Sequence, residues 1–124
     1  MYVTQRDRKF FFRAASEAIG GENKVRVGAV LTKGHTLLGS VHNTYRNPVA
    51  NVDYGDATVH AERVVLKNNE HRFNCTLYVA RLGLGGAILP SLPCADCMNH
   101  IIYGTTVSKV VYMDYNGDLV KTRV

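Results

Sequence analysis

The chain has no apolar run long enough to span a bilayer. It also lacks, at its start, the basic, apolar and small-residue sequence of a secretory signal. These absences argue against a membrane protein and set the expectation of a soluble, cytoplasmic one. Cysteine is scarce: three in 124 residues. The odd number argues against a disulfide framework, and the pair in Cys94-Ala95-Asp96-Cys97 points to metal or redox work in a reducing compartment. There is no internal repeat and no linker. With 46% hydrophobic residues, 124 residues suit one core, whereas two would each be too small. A single domain over 1–124 is therefore expected. There is no phosphate-binding fingerprint either. Gly83, Gly85 and Gly86 lie close together, but no Lys-Ser/Thr follows. The segment from Leu82 to Leu92 reads instead as a loop or hairpin tip.

Charge is unbalanced without being clustered. The net charge is +5 and no run of five basic residues occurs. Arg6, Arg8, Lys9 and Arg13 fall early. An anionic substrate or nucleic acid is one reading of this excess, and a basic solvated surface is the other.

Periodicity supplies the framework. Thr4 to Ile19 reads as an amphipathic helix, with Thr4 and Asp7 at capping-box spacing and Phe10, Ala14 and Ala18 in one i, i+4 row. The aromatic run Phe10-Phe11-Phe12 reads as core packing, and Gly20-Gly21 as the stop. Lys24 to Thr32 alternates as a strand and pairs with Thr36 to His42 across a Lys33-Gly34 turn. A polar loop runs from Asn43 to Asp56, a length that is usually functional or mobile in so small a domain. Asp56 is the candidate N-cap of a helix reaching about Asn69. Cys75 to Arg81 is a strand. Pro93 to Tyr103 is a helix with Pro93 near its first position. Val107 to Met113 is a buried strand, and Asn116-Gly117 turns the chain into a short edge strand. Alternating strands and helices in the second half imply parallel pairing and a sheet covered on both faces.

Two motifs carry the chemistry: His60-Ala61-Glu62 and Pro93-Cys94-Ala95-Asp96-Cys97. Cys94 and Cys97 share one helix face at i, i+3, and at a helix start their thiolates gain from free N–H groups. His60 and Glu62 do not share a face mid-helix, because two residues turn the helix by about 200°. Both reach one centre only if the helix begins near His60. One imidazole, two thiolates and one free carboxylate then form a three-ligand zinc site with an open fourth position. Such a site has a formal charge near zero and acidifies a bound water weakly, so a proton carrier beside it is useful. Glu62 suits that role. A redox Cys-x-x-Cys or a closed structural zinc site is the alternative; His100 is the obvious fourth ligand of a closed site but reads as a core residue or one that supports the ligands, since a fourth protein ligand would leave no place for water. Cys75 reads as a small buried apolar group, and His35, His42 and His71 as turn or surface residues.

At these residues the chain resembles the cytidine deaminase superfamily of zinc-dependent deaminases, whose signature combines His-x-Glu with Pro-Cys-x-x-Cys. The likeness extends to the strand Val27-Gly28-Ala29-Val30, to Asn43 after the second strand, and to the order of helices and strands. It implies a three-layer α/β/α fold around a five-stranded mixed sheet. It implies Zn2+ held by His60, Cys94 and Cys97, with Glu62 as proton shuttle. It further implies that Asn43 contacts the base or sugar, that Ala61 and Pro93 border the base, and that main chain of Ser91-Leu92-Pro93 holds the amino group. Free-nucleoside deaminases of the superfamily usually carry Cys at the position of His60 and an Asn-x-Glu for the ribose, which Asn43-Thr44-Tyr45 does not match. The His ligand is similar to that of deoxycytidylate, transfer-RNA adenosine and polynucleotide deaminases, while the Asn-x-x-x-x-Pro loop and Ser-x-Pro-Cys are similar to small deoxycytidylate deaminase-like proteins. The expected reaction is conversion of a cytosine nucleotide, dCMP first, to its uracil form with release of ammonia. Arg46 would then meet the phosphate, and Tyr45 or Tyr54 would stack on the base. Action on cytosine or adenine in single-stranded DNA or RNA is one alternative, and an inactive zinc-stabilised binding protein is another. Relatives often associate, so a homo-oligomer is expected.

Overall fold

A computed structural model describes residues 1–20, 26–45, 58–59, 61–104 and 106–124. The first helix, α1 (Gln5–Ala18), starts where the capping box predicts. The Thr4 hydroxyl accepts from Asp7 N, and the Asp7 carboxylate accepts from Thr4 N. Phe11, Ala14, Ala15 and Ala18 form its buried face. Phe12 is half exposed, so the aromatic run divides between core and surface.

The strands β1 (Arg26–Lys33) and β2 (Thr36–His42) pair antiparallel as a hairpin, with Gly34 at φ +60° in the turn. On its other edge β1 pairs antiparallel with β5 (Cys75–Leu82), and β5 pairs parallel with β7 (Val107–Met113). The last strand, β8 (Leu119–Arg123), closes the edge antiparallel to β7 after a turn through Gly117 at φ +83°. Among the described residues the main path of the sheet is therefore β2-β1-β5-β7-β8, five strands of mixed direction, as expected. A sixth, β6 (Ile88–Leu89), folds back onto the end of β5, which makes the glycine-bearing segment a hairpin tip.

Alternation along the strands builds two cores. Ala29, Leu31, Leu77, Val79 and Val110 face one side, where they meet α2 (Ala61–Lys67) and α3 (Ala95–Tyr103) through Ala61, Val65, Leu66 and Ile101. Val30, Tyr78, Ala80 and Val111 face the other side and pack under α1 through Phe11, Ala14 and Ala18. The result is three layers, α/β/α.

Two expected boundaries move. The segment read as one polar loop holds two short strands, β3 (Thr44–Tyr45) and β4 (Thr58–Val59), paired antiparallel. This ladder keeps the chain extended to Val59, so α2 begins at Ala61 and not after Asp56, which itself lies outside the described residues. The third helix begins at Ala95 and not at Pro93. Cys94 O accepts the first intrahelical bond, from Met98 N at 2.8 Å, which makes Cys94 the N-cap.

The α1 layer is tied to the sheet by a buried charge. Asp7 is 1% exposed. Its carboxylate accepts from Tyr78 Oη at 2.7 Å and from Lys121 Nζ at 2.9 Å, linking α1 to β5 and β8. Burial alone would raise the Asp7 pKa, but the hydrogen bonds from Thr4 N, Lys121 and Tyr78 outweigh it and lower the value to about 2. Burial, and then the Asp7 charge, push the Tyr78 phenol up.

Candidate active site

Both chemical motifs sit at helix starts on one face of the sheet. The ends of α2 and α3 line a common groove with Thr106 and Val107 at the start of β7: Leu66 and Glu70 on one side, Ile101 and Tyr103 on the other. Helix ends at the amino end of β7 put the helix starts toward its carboxyl end. That is the usual position for a site beside parallel strands.

At the start of α2, Ala61 is fully buried and Glu62, in the first turn, is 5% exposed. A carboxylate so withdrawn from water needs polar or charged partners. His60 lies outside the described residues. The requirement that the helix begin near His60 is nevertheless met by its neighbour, since helix geometry starts at Ala61.

At the start of α3, Cys94 is exposed and Cys97 is fully buried. Cys94 Sγ accepts from Cys97 N at 3.5 Å, the bond an N-cap oxygen ordinarily makes to the third helical residue. The sulfur takes the place of a Ser or Asp cap. It therefore sits against the free N–H groups of the first turn of α3. Pro93 is buried immediately before it. Two sulfur donors one turn apart, one buried and one exposed, suit a soft divalent metal. Among the described residues no three His, Cys, Asp or Glu side chains form a metal-binding group. The side chain of His100 is not among those described.

Asn43 follows β2 and is 5% exposed. Its Oδ1 accepts from Val27 N at 2.9 Å, and its own N donates to Val27 O at 3.0 Å. The amide is thus oriented by the main chain of β1. Beyond it, Thr44 pairs with Val59, the residue before His60. The short ladder ties the residue after Asn43 to the residue before the motif. Tyr45 pairs with Thr58 by its backbone, its side chain lies outside the description, and Arg46 and Tyr54 lie outside the described residues altogether.

For Ser91 the family resemblance implies a role for the main chain only, and the side chain proves to be as firmly placed. It is 3% exposed. Its Oγ donates to Val79 O at 2.7 Å and accepts from Met113 N at 2.9 Å, and its N donates to Met113 O at 2.9 Å. The available signal was its place between Pro90 and Pro93, just before the first cysteine. The remaining polar candidates lie elsewhere. His42 is half-buried and not a simple surface group, with Nδ1 3.0 Å from Glu17 Oε1, while Ser40 donates to Glu17 Oε2. His35 is exposed against Arg6, and His71 is exposed. Cys75 is fully buried at the start of β5, and burial pushes its thiol up.

With this geometry in place, comparison with known families decides the affiliation. The family model described as the cytidine and deoxycytidylate deaminase zinc-binding region matches residues 4–114. The chain belongs to that family. The match includes both helix starts, Asn43 and Ser91. Among solved structures, the fold is similar to that of cytidine deaminase from Burkholderia pseudomallei, with a TM-score of 0.66 and 20% identity over 94% of this chain and 91% of that one. No protein among curated sequences matches. Among the described residues, no helix is long and apolar enough to cross a membrane.

Proposed function

We propose that this protein is a zinc-dependent deaminase that hydrolyses the exocyclic amino group of a cytosine nucleotide, dCMP being the first candidate, within a single domain. The observation that carries this reading is that two helix starts lie on the same sheet face, within a chain of the deaminase family. One bears buried Glu62 and the other bears the Cys94–Cys97 turn.

His60, Cys94 and Cys97 would hold the metal, and the two sulfurs described fit it in number, spacing and helix-start placement. When bound, zinc would acidify a water and supply positive charge where the reaction develops negative charge. The protein's residues do the rest. Glu62, shielded from bulk water, takes a proton from the nucleophilic water and returns protons to the ring nitrogen and the departing amine. The balance is one water consumed and one ammonia released, with a carbonyl replacing the amino group. Asn43, oriented by the Val27 main chain, contacts the base or sugar. Ala61 and Pro93 border the base, and main chain of the Ser91-Leu92-Pro93 segment receives the amino group. Tyr45 stacking on the base and Arg46 meeting the phosphate complete the assignment. They rest on the sequence pattern of the loop after Asn43.

Nucleic acid is a weaker candidate substrate. The exposed Arg6, Arg8, Lys9 and Arg13 belong to α1, the layer opposite α2 and α3, so this basic face does not border the proposed site. The decisive experiment is an ammonia-release screen of zinc-loaded protein against cytidine, deoxycytidine, their phosphates, adenine and guanine compounds, and single-stranded DNA. The expected result is turnover of a cytosine mononucleotide, dCMP above deoxycytidine. Uracil formation only in an oligonucleotide would replace this reading with the polynucleotide one. Tight zinc without ammonia from any compound would leave a zinc-stabilised binding protein. The homo-oligomer expected of relatives is tested on the same sample by its mass in solution.

A further inference from the structure

The ladder between β5 and β7 stops early. Its last pair is Tyr78 with Val111, although β5 continues to Leu82 and β7 to Met113. The strands part at their carboxyl ends, and the chain returning from β6 enters the gap. Ser91 fills it. Its N donates to Met113 O, as a neighbouring strand would, and its hydroxyl closes the remaining distance. That hydroxyl donates to Val79 O on one side and accepts from Met113 N on the other. One buried side chain thus supplies both the donor and the acceptor that a continuing ladder would have provided.

Three residues later comes Cys94. The intervening arm has little freedom. Pro93 has φ fixed by its ring. Leu92 precedes a proline and is therefore confined to extended conformations. Pro90 restricts the approach from the other side. The Leu92 side chain is 51% exposed, so side-chain packing constrains it little. An anchor at Ser91 is therefore transmitted through a stiff arm to the Cys94 backbone.

We infer that Ser91 is a positioning residue: by bridging Val79 and Met113 where β5 and β7 part, it fixes the Pro93–Cys94 arm so that Cys94 and Cys97 meet a metal in a set geometry. This rests on the zinc site proposed above but not on the identity of the substrate. Groups that orient metal ligands typically change affinity by about 10–100-fold when removed.

The test is zinc affinity, measured by competition with a chromophoric chelator, together with the thiolate-to-metal absorption of the Co2+ form. Ser91→Ala is expected to weaken zinc binding by about tenfold or more and to alter the Co2+ spectrum. Ser91→Thr, which keeps the hydroxyl, should recover most of the loss. Val111→Ala, a cavity on the opposite face of the same sheet, controls for general destabilisation and should leave zinc affinity within about twofold of the parent. Leu92→Gly slackens the arm at an exposed position. It should speed zinc release several-fold without lowering Tm appreciably, and it decides the matter alone if Ser91→Ala does not fold. Zinc binding by Ser91→Ala equal to that of Val111→Ala, or by Leu92→Gly equal to the parent, overturns the positioning role. A parent protein that binds zinc tightly but releases no ammonia refutes the deaminase reading and leaves this comparison intact. A parent that takes up no zinc overturns both.

Discussion

Asp7 offers the prediction whose size follows most directly from the structure. Its folded pKa is about 2 against an ordinary 3.8. A lowered carboxylate pKa stabilises the fold at pH values above the unfolded pKa, and that stability is lost as pH falls through the folded one. The shift of nearly two units corresponds to about 2.4 kcal/mol at neutral pH. About 1.3 kcal/mol of this remains at pH 3 and about 0.4 kcal/mol at pH 2 by the same linkage. A domain of this size has a net stability of about 5–15 kcal/mol, so the loss is easily measured.

Asp7→Asn removes the charge and keeps the shape. Its side chain can still reach Tyr78 and the Thr4 main chain, while Lys121, at 12% exposure, loses its anion. Urea unfolding of parent and variant across pH 2 to 7 isolates the effect, since the other carboxylates titrate in both. The difference in unfolding free energy should be about 2–3 kcal/mol at pH 7, hold down to about pH 5, and then close as pH falls through 3.8 toward 2. A difference that is constant with pH would mean that Asp7 acts by packing alone. A difference below about 0.5 kcal/mol at pH 7 would refute the network as a stabilising device.

Three further outcomes are expected. Glu62→Ala should retain zinc and fold but lose ammonia release by several orders of magnitude, and retained turnover would remove Glu62 from proton transfer. Cys94→Ala should lose the metal together with about 1 kcal/mol of helix-cap stability, so metal analysis after dialysis separates it from the parent and the urea midpoint reports the lost cap. Gly28→Ala should destabilise by about 3 kcal/mol or more, read as a lowered urea midpoint, because a Cβ there would run into the Ala14 carbonyl oxygen and the Ala18 N of α1.

What the sequence disclosed depended on how local the cause was. The start of α1 was legible because Thr4 and Asp7 cap each other three residues apart. The β1–β2 hairpin, β7 and β8 were legible for the same reason: alternation and turn residues act within a few positions. The His60–Glu62 argument located the start of α2 better than Asp56 did, because it used a geometric demand of the chemistry where the cap used composition. The β3–β4 ladder was hidden, since two-residue strands carry no period. The Cys94 cap was hidden because sulfur is not an expected N-cap. The Asp7 network was out of reach altogether, as Tyr78 and Lys121 lie 71 and 114 residues away in sequence. Ser91 fell between these cases: its neighbours marked it, but its partners on β5 and β7 lie 12 and 22 residues away.

The sheet separates what holds the molecule together from what it does. Tyr78 and Val79 are adjacent in β5, yet the Tyr78 side chain turns toward α1 and Asp7, whereas the carbonyl of Val79 lies toward the strand edge and holds Ser91. A disturbance at Asp7 reaches the proposed metal site by shifting the backbone of β5, or of β7 through Lys121 on β8. The β5 backbone is fixed along its length by pairing with β1, from Arg26–Leu82 to Thr32–Thr76. Neighbours in sequence should therefore be nearly independent in energy. Asp7→Asn is expected to lower stability while leaving zinc affinity within about twofold of the parent, whereas Ser91→Ala is expected to lower zinc affinity by about tenfold as well as stability. Coupling larger than about 1 kcal/mol in the Asp7→Asn, Ser91→Ala double variant would show that β5 yields as a unit and that the two faces are not separate.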